Sequence, residues 1–557
     1  MDQLPPSGPE PIRPDQEPTA DTIGTAEPTS APKKRRAAVI VAAAAVVVLG
    51  AGGAAAYMLM AGSDAKLLER VPATADVTFT VNLDPAAGQK LNMIRMITAF
   101  PDVGDEQELR RQLNEALDEA LADTGLTRDD LDWVGSGVAG FVDLDRGLEE
   151  PRGAVLLAVD DEEGANAALD ALVRASEDRG ERITIEERDG VRVYTNGDEG
   201  MGAAALVDGV MVFASGESVI DEVIATVDDG DSLAASPTFT ATMAELPEDH
   251  LAMAYVNVPD LMESLDEYMA GAGVVPGQLN SEGVEGAAAT ISAEPTGFAI
   301  DAFATVDASQ LTDEQRAALG DDHVNALVGL VSADAFGFAA QTGIDVTIRQ
   351  ALDDLAQQDP AIAAELERFG VSGPGGLASI IGPDMAFEVT PGTPLTVGGA
   401  FMVTTTDPAA MRTLMDRWAG QLGPTLPGGG RWIEAEHAGV AFVYLGGPAE
   451  LPVAYGVVDD VAVIAASPDE LMRIVDLSQG SGDSIGDDPG YAVASARVPT
   501  EDAVLYLNVD DIVAAVSEQI DAQIAAQLDA LEPVATLTIG TSSDLEGSRV
   551  RVFVEIP

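Results

Sequence analysis

One interval recurs along this chain and limits what it can fold into. Val210-Met211-Val212-Phe213-Ala214, with the helical run through Ile224, returns as Val461-Ala462-Val463-Ile464-Ala465 running through Val475. Tyr255-Val256-Asn257-Val258, followed by Asp260, returns as Tyr506-Leu507-Asn508-Val509, followed by Asp511. Val193-Tyr194 matches Val443-Tyr444, and the closing strand from Gly297 matches one from Gly547. These intervals are 251, 251, 250 and 250 residues, too constant for chance, and self-similarity at a fixed spacing is the mark of a repeated unit. A chain of 557 residues is also too long for one hydrophobic core, so the expectation is two tandem homologous domains. Repeat 1 is placed at residues 66–307 and repeat 2 at 331–557. A linker helix falls within 308–330, at Thr312–Leu319, where Thr312 and Gln315 form a capping box.

Inside each repeat the elements alternate. Apolar runs at Val77–Leu83, Val138–Leu144, Ala154–Val159, Val191–Tyr194, Ala203–Val207, Val210–Ala214 and Leu251–Val256 read as strands. Patterns at Leu109–Leu121, Ala165–Ala175 and Val219–Val227 read as helices. Asp189-Gly190 and Asp208-Gly209 are hairpin turns, which favours antiparallel pairing over crossover connections. Gly125-Leu126-Thr127 corresponds to Gly370-Val371-Ser372, each a turn whose Thr or Ser caps a short helix. The strand near Val77–Leu83 corresponds to the one near Ala335–Gly343. The predicted fold class is α+β, each domain a curved antiparallel sheet with helices on one face.

Before the repeats, residues 37–60 carry no charge, and 24 residues at about 1.5 Å each reach roughly 36 Å, enough to span a bilayer core. Lys33-Lys34-Arg35-Arg36 precedes this run, and basic residues stay on the cytoplasmic side. The expectation is a transmembrane helix at 37–60, an N-terminus inside, and an extracytoplasmic bulk. A cleaved signal peptide, with small residues at Gly52–Ala56, is the competing reading, and it exports the same bulk. Residues 1–36 begin with eight prolines in the first 32 positions and lack apolar periodicity, so a disordered cytoplasmic tail is expected.

Charge narrows the partners. Asp and Glu number 94 against 29 Lys and Arg, a formal net charge of −65. Affinity for nucleic acid comes mainly from cations displacing counterions, so nucleic acid is excluded as a partner. Cysteine is absent, which removes disulfides, thiolate metal sites and an N-terminal lipid anchor on Cys.

Several patterns resemble chemistry and fit structural roles better. Gly135-Ser136-Gly137-Val138-Ala139-Gly140 matches G-x-G-x-x-G, yet a short helix precedes it and a strand follows, the reverse of a dinucleotide site. Gly135 is then expected to cap that helix, as Gly382 does in the second repeat. His250, His323 and His437 lack zinc-ligand spacing, and no nucleophile motif occurs. Asp228-Asp229-Gly230-Asp231 and Gly482-Asp483-Ser484 sit at matching places but lack the order of a calcium loop. Asn257-Val258-Pro259-Asp260 and Asn508-Val509-Asp510-Asp511, like Asn82-Leu83-Asp84-Pro85, stand where a strand hands over to a helix, and there Asn caps. No catalytic, cofactor-binding or metal-ligating residue is expected.

Val71-Pro72-Ala73-Thr74-Ala75-Asp76, Asn82-Leu83-Asp84-Pro85, Gly88-Gln89-Lys90, Gly125-Leu126 and Trp133-Val134-Gly135 resemble a family of bacterial membrane-anchored proteins, domain of unknown function 3352. Actinobacterial members with a Pro-rich tail would look like this. The resemblance implies the topology and supplies no mechanism. The functional expectation is a non-catalytic binding or scaffold protein of the cell envelope, whose partner is an envelope protein. The alternative is a carrier of a lipid or other apolar ligand.

Overall fold

The computed structural model describes residues 65–557, apart from 84, 101–102, 104–105, 122–125, 145–150, 197–201, 264–282, 312–315, 317–322, 359, 393–396, 423–430, 447–452, 518–527 and 529–530. The predicted tail, the predicted span at 37–60 and most of the predicted linker helix lie outside the described residues. Among the described residues no helix is long and apolar enough to cross a membrane.

Twenty strands form one antiparallel sheet. The first ten are β1 (Val77–Asn82), β2 (Val134–Asp143), β3 (Arg152–Val159), β4 (Ile183–Arg188), β5 (Val191–Asn196), β6 (Ala203–Val207), β7 (Val210–Ala214), β8 (Ala252–Asn257), β9 (Val284–Glu294) and β10 (Gly297–Val306). The second ten are β11 (Gly337–Gln341), β12 (Ile381–Pro391), β13 (Val397–Thr405), β14 (Arg431–His437), β15 (Val440–Gly446), β16 (Ala454–Val458), β17 (Val461–Ala465), β18 (Ala503–Asn508), β19 (Thr536–Ser543) and β20 (Gly547–Glu555).

In space the first half runs β4-β5-β6-β7-β3-β2-β1-β8-β9-β10. The second runs β14-β15-β16-β17-β13-β12-β11-β18-β19-β20. The two orders match strand for strand, and β10 pairs with β20 from Gly297↔Glu555 to Thr305↔Gly547 to close the seam. A register shift between Val134 and Val138 on the β2–β3 ladder recurs between Ile381 and Met385 on β12–β13. Such an irregularity locally increases the twist of the strand that carries it.

The hairpins follow from local backbone chemistry. Asp189 and Gly190 have φ of 50° and 83°, and Asp208 and Gly209 have 47° and 77°, the paired positive values of the turn whose twist suits flanking strands. The β14–β15 hairpin uses Ala438 and Gly439 at 49° and 87°.

Helices cover both faces, which corrects the one-face expectation. In β7, Val210, Val212 and Ala214 pack with Val219, Ile220, Val223 and Ile224 of the helix Glu217–Asp229. Met211 and Phe213 turn the other way, toward Ala165, Ala168 and Leu169 of the helix Glu162–Asp178. The second half repeats this, with Leu471, Ile474 and Val475 of Pro468–Ser478 on one face and Met411, Leu414 and Met415 of Pro408–Leu422 on the other. The signal was present, because β7 is apolar at every position, as a strand buried on both sides must be. Side-chain oxygens start these helices: Asp161 accepts from the Glu163 amide, and Ser467 from the Glu470 amide ahead of Pro468.

Candidate functional site

In the second half an open cleft of about 600 Å³ is lined by Ser332, Asp334, Thr390, Glu470, Arg473 and Asp511. Its polar floor is built by period-two alternation in β12. Glu388 and Thr390 point to the face covered by Pro468–Ser478, and Glu388 is fully buried there. Its Oε1 lies 2.6 Å from Arg473 Nη2, and its Oε2 accepts from the Ser332 amide at 2.9 Å. Arg473 also donates to Glu470, whose Oε1 accepts from Thr390 Oγ1 at 2.8 Å. Burial pushes the Glu388 carboxyl above the ordinary range, against the pull of Arg473 and the Ser332 amide. The cleft therefore has a negative rim over a helix-to-sheet lock whose donors and acceptors are already engaged.

The first half has the same lock with the charges exchanged. There the cation is on the strand: Arg152 reaches Asp143 at 3.1 Å and Glu222, on the helix, at 2.7 Å. Glu222 and Arg473 are 251 residues apart. The strand cation has no counterpart in the second half, because Gly398 occupies the matching ladder position opposite Thr390. A Cβ on Gly398 would meet Thr390 Oγ1 at 2.5 Å.

The seam carries a third charged group. Arg551 on β20 donates to Asp301 on β10 at 3.0 Å and to Glu294 on β9, and Arg497 reaches Glu294 at 3.2 Å. Arg549 bonds both the backbone carbonyl and the carboxylate of Glu245. Burial raises the Asp301 carboxyl despite the Arg551 charge beside it.

The motifs singled out in the sequence fall elsewhere. Gly135, Gly137 and Gly140 all lie inside β2. The short 3-10 turn before it, Arg128–Leu131, ends at Asp132, so Gly135 is not its cap. The glycines serve close approach instead: a Cβ at Gly135 would sit 2.7 Å from Asp160 Oδ1, and one at Gly140 would sit 2.3 Å from the Phe79 ring. Gly382 likewise lies in β12, against Thr404. Thr127 does cap its turn, in a reciprocal box with Asp130, whereas in the second half Gly376 rather than Ser372 precedes the helix Leu377–Ile380.

Asn257 Nδ2 and Asn508 Nδ2 each donate to the carboxylate of the Asp three residues on, at 2.6 and 2.7 Å, and Asn508 Oδ1 also accepts from the Asp511 amide at 3.1 Å, the cap expected there. His323 Nε2 lies 2.8 Å from Asp384 Oδ1, His437 Nε2 lies 2.7 Å from Asp476 Oδ1, and His250 Nδ1 lies 3.0 Å from the Pro247 carbonyl. Gly230, at φ 72°, ends the helix Glu217–Asp229, and the Asp231 and Asp483 carbonyls accept from Ala73 and Ala333, so both acidic loops are tied into turns. Among the described residues no three His, Asp or Glu side chains are grouped to hold a metal.

Residues 41–423 match a family model described as "Protein of unknown function (DUF3352)". The chain belongs to that family. The DUF3352 match takes in the whole described first half and enters the second as far as the helix Pro408–Leu422, so its boundary does not follow the seam. No curated protein matches the chain. Among solved structures, "Structure of crystal form III of TP0453" aligns with a TM-score of 0.25 at 12% identity, covering 46% of this chain and 88% of that one. "Structure of crystal form I of TP0453" gives 0.24 at 12%, with 46% and 84%. Likeness at that level carries no argument about fold or function.

Proposed function

We propose that this DUF3352 member is a membrane-anchored, extracytoplasmic binding or scaffold protein without catalytic activity, built from two copies of one ancestral unit fused across the β10–β20 seam. The duplication rests on the intervals of 250 and 251 residues and on the strand order and bulge that recur with them. The outward placement rests on the uncharged 37–60 run behind four cations.

The observation that carries the non-catalytic reading is how the buried carboxylates are used. Asp143, Asp301 and Glu388 each face an arginine, Arg152, Arg551 and Arg473 respectively, that pins a helix or a neighbouring strand to the sheet, while buried Asp384 is engaged by Thr342 and His323 and buried Asp76 by the Leu144 amide. Catalysis would instead keep an acid or base poised toward a ligand. Here these groups are spent on holding a broad rigid sheet together, which suits a platform for a partner.

Two measurements test the reading. A reporter active only outside the cytoplasm, fused after Pro557, should be active; cytosolic activity would overturn the placement. Cross-linking in cells followed by purification should recover a specific envelope partner, and recovery of none would remove the binding role.

A further inference from the structure

The central strands of the sheet have an inverted pattern. In the consecutive pairs Thr290/Ile291, Ile300/Asp301, Phe387/Glu388 and Thr538/Ile539, the polar member is buried. The apolar member points to the opposite face, where Ile291, Ile300 and Phe387 are exposed. A solvated sheet face should show the reverse alternation.

The outward residues stand in one cross-strand row. Ile464 pairs with Phe401 and Phe401 with Phe387. Ala339, Leu505, Ile539 and Val552 continue the row to Ile300 and Ile291. These nine strands at about 4.8 Å each make a strip roughly 38 Å long. Phe387, Phe401, Ile464, Ile300 and Ile291 are between 37% and 48% exposed. Beyond one end the row goes under cover at Tyr455 beneath Pro408–Leu422, and beyond the other it passes Ala252 to the buried Val81 and Val138. Flanking residues on the same face are uncharged: Phe298, Val554 and Leu537 to one side, Ala302, Val550 and Ala503 to the other. Helix Ala87–Ala99 packs on Phe298 and Val554 and borders the strip at its β9–β10–β20 end.

We propose that this uncovered strip docks the acyl chains of a lipid whose headgroup bears no net negative charge. The proposal rests on the outward placement argued above and names the partner chemistry of the platform. Two physical arguments select a lipid over a second copy of the chain. Five large side chains exposed by about two-fifths offer only a few hundred Å², in the range of a functional patch, whereas a stable dimer buries about 800 Å² per partner. Two bodies each carrying −65 also repel on approach. An acyl chain needs neither the larger area nor a countercharge, and the same negative field disfavours an anionic headgroup.

The test uses the full chain in phosphatidylcholine vesicles containing a trace of phosphatidylcholine with a photoactivatable group on its acyl chain, irradiated and mapped by peptide mass. Adducts are expected on β9, β10, β12 and β13 as well as on residues 37–60. The double variant Phe387→Asn/Phe401→Asn should lose about tenfold of the sheet labelling while still unfolding in one cooperative transition at a somewhat lower temperature. Ile185→Thr, at an exposed position on β4, should leave the labelling unchanged. Labelling confined to 37–60, equal labelling in the double variant, or protein–protein cross-links through the strip would each overturn the proposal. Undiminished labelling when phosphatidylglycerol replaces phosphatidylcholine would overturn the headgroup clause. A cytosolic C-terminal reporter would sink the placement without touching the vesicle result, so the two failures stay distinguishable.

Discussion

Asp301 and Arg551 face each other across the β10–β20 seam with 3.0 Å between Oδ1 and Nη1, and 250 residues separate them, the interval that relates the two halves. Asp301 pairs with the residue at its own position in the other half. A two-fold symmetric seam would set like beside like there; this chain instead has opposite charges, which two identical strands could not supply.

Asp301→Arg alone should cost about 2–4 kcal/mol in urea unfolding, because two guanidinium groups then meet in a half-buried site. The exchange Asp301→Arg/Arg551→Asp should recover at least part of that loss. A double variant no more stable than the single one would show that the ion pair does not hold the seam.

Glu388 gives a pH dependence. Its folded carboxyl lies above the ordinary value of 4.5, so its contribution to stability is full below 4.5 and is lost as pH rises through the raised value. Wild type should therefore lose stability relative to Glu388→Gln as pH rises from about 4 toward neutrality, and the difference should then level off. Denaturant melts at stepped pH check this, and a difference growing in the wild type's favour would contradict it.

Ala438 holds φ at 49°, where a Cβ is strained and Asn or Gly is at ease. The matching hairpin in the first half uses Asp189. Ala438→Asn should raise stability by about 0.5–1 kcal/mol, read as a higher melting temperature. Loss of stability would mean the turn relies on something other than backbone conformation.

Gly140 and Phe79 are cross-strand neighbours, and the ring occupies the space a Cβ would need. Gly140→Ala should cost about 1–3 kcal/mol, and Phe79→Ala in the same chain should relieve much of the clash. Gly88→Ala, with open space around it, serves as the control and should be near neutral.

The hairpins and the buried strands were readable because their signals are local: Asp-Gly turns, alternation, and uninterrupted apolar runs such as Val210–Ala214. The predicted helix at Leu109–Leu121 is observed at Glu106–Leu121, and Val219–Val227 at Glu217–Asp229. β9 gives no strand signal of its own, because Ala287, Ala288 and Ala289 favour a helix; pairing with β8 and β10 on either side overrides that preference. In the sequence Gly135 reads equally well as a helix end or as a close backbone approach, and only the neighbouring Asp160 decides. The Glu388–Arg473 lock joins residues 85 apart, and the exposed row joins nine strands. No local pattern encodes either.

Among the described residues the sheet ends at β4 and β14, edge strands that carry Glu186 and Glu187 in one and Glu434 and Glu436 in the other. Were two molecules to align end to end, these carboxylates would be brought together along the new ladder, at a cost that grows with each added copy. A ribbon already twenty strands wide thus has its own brake on filament growth, and acidification, by neutralising that brake, is the condition under which such a molecule would begin to polymerise.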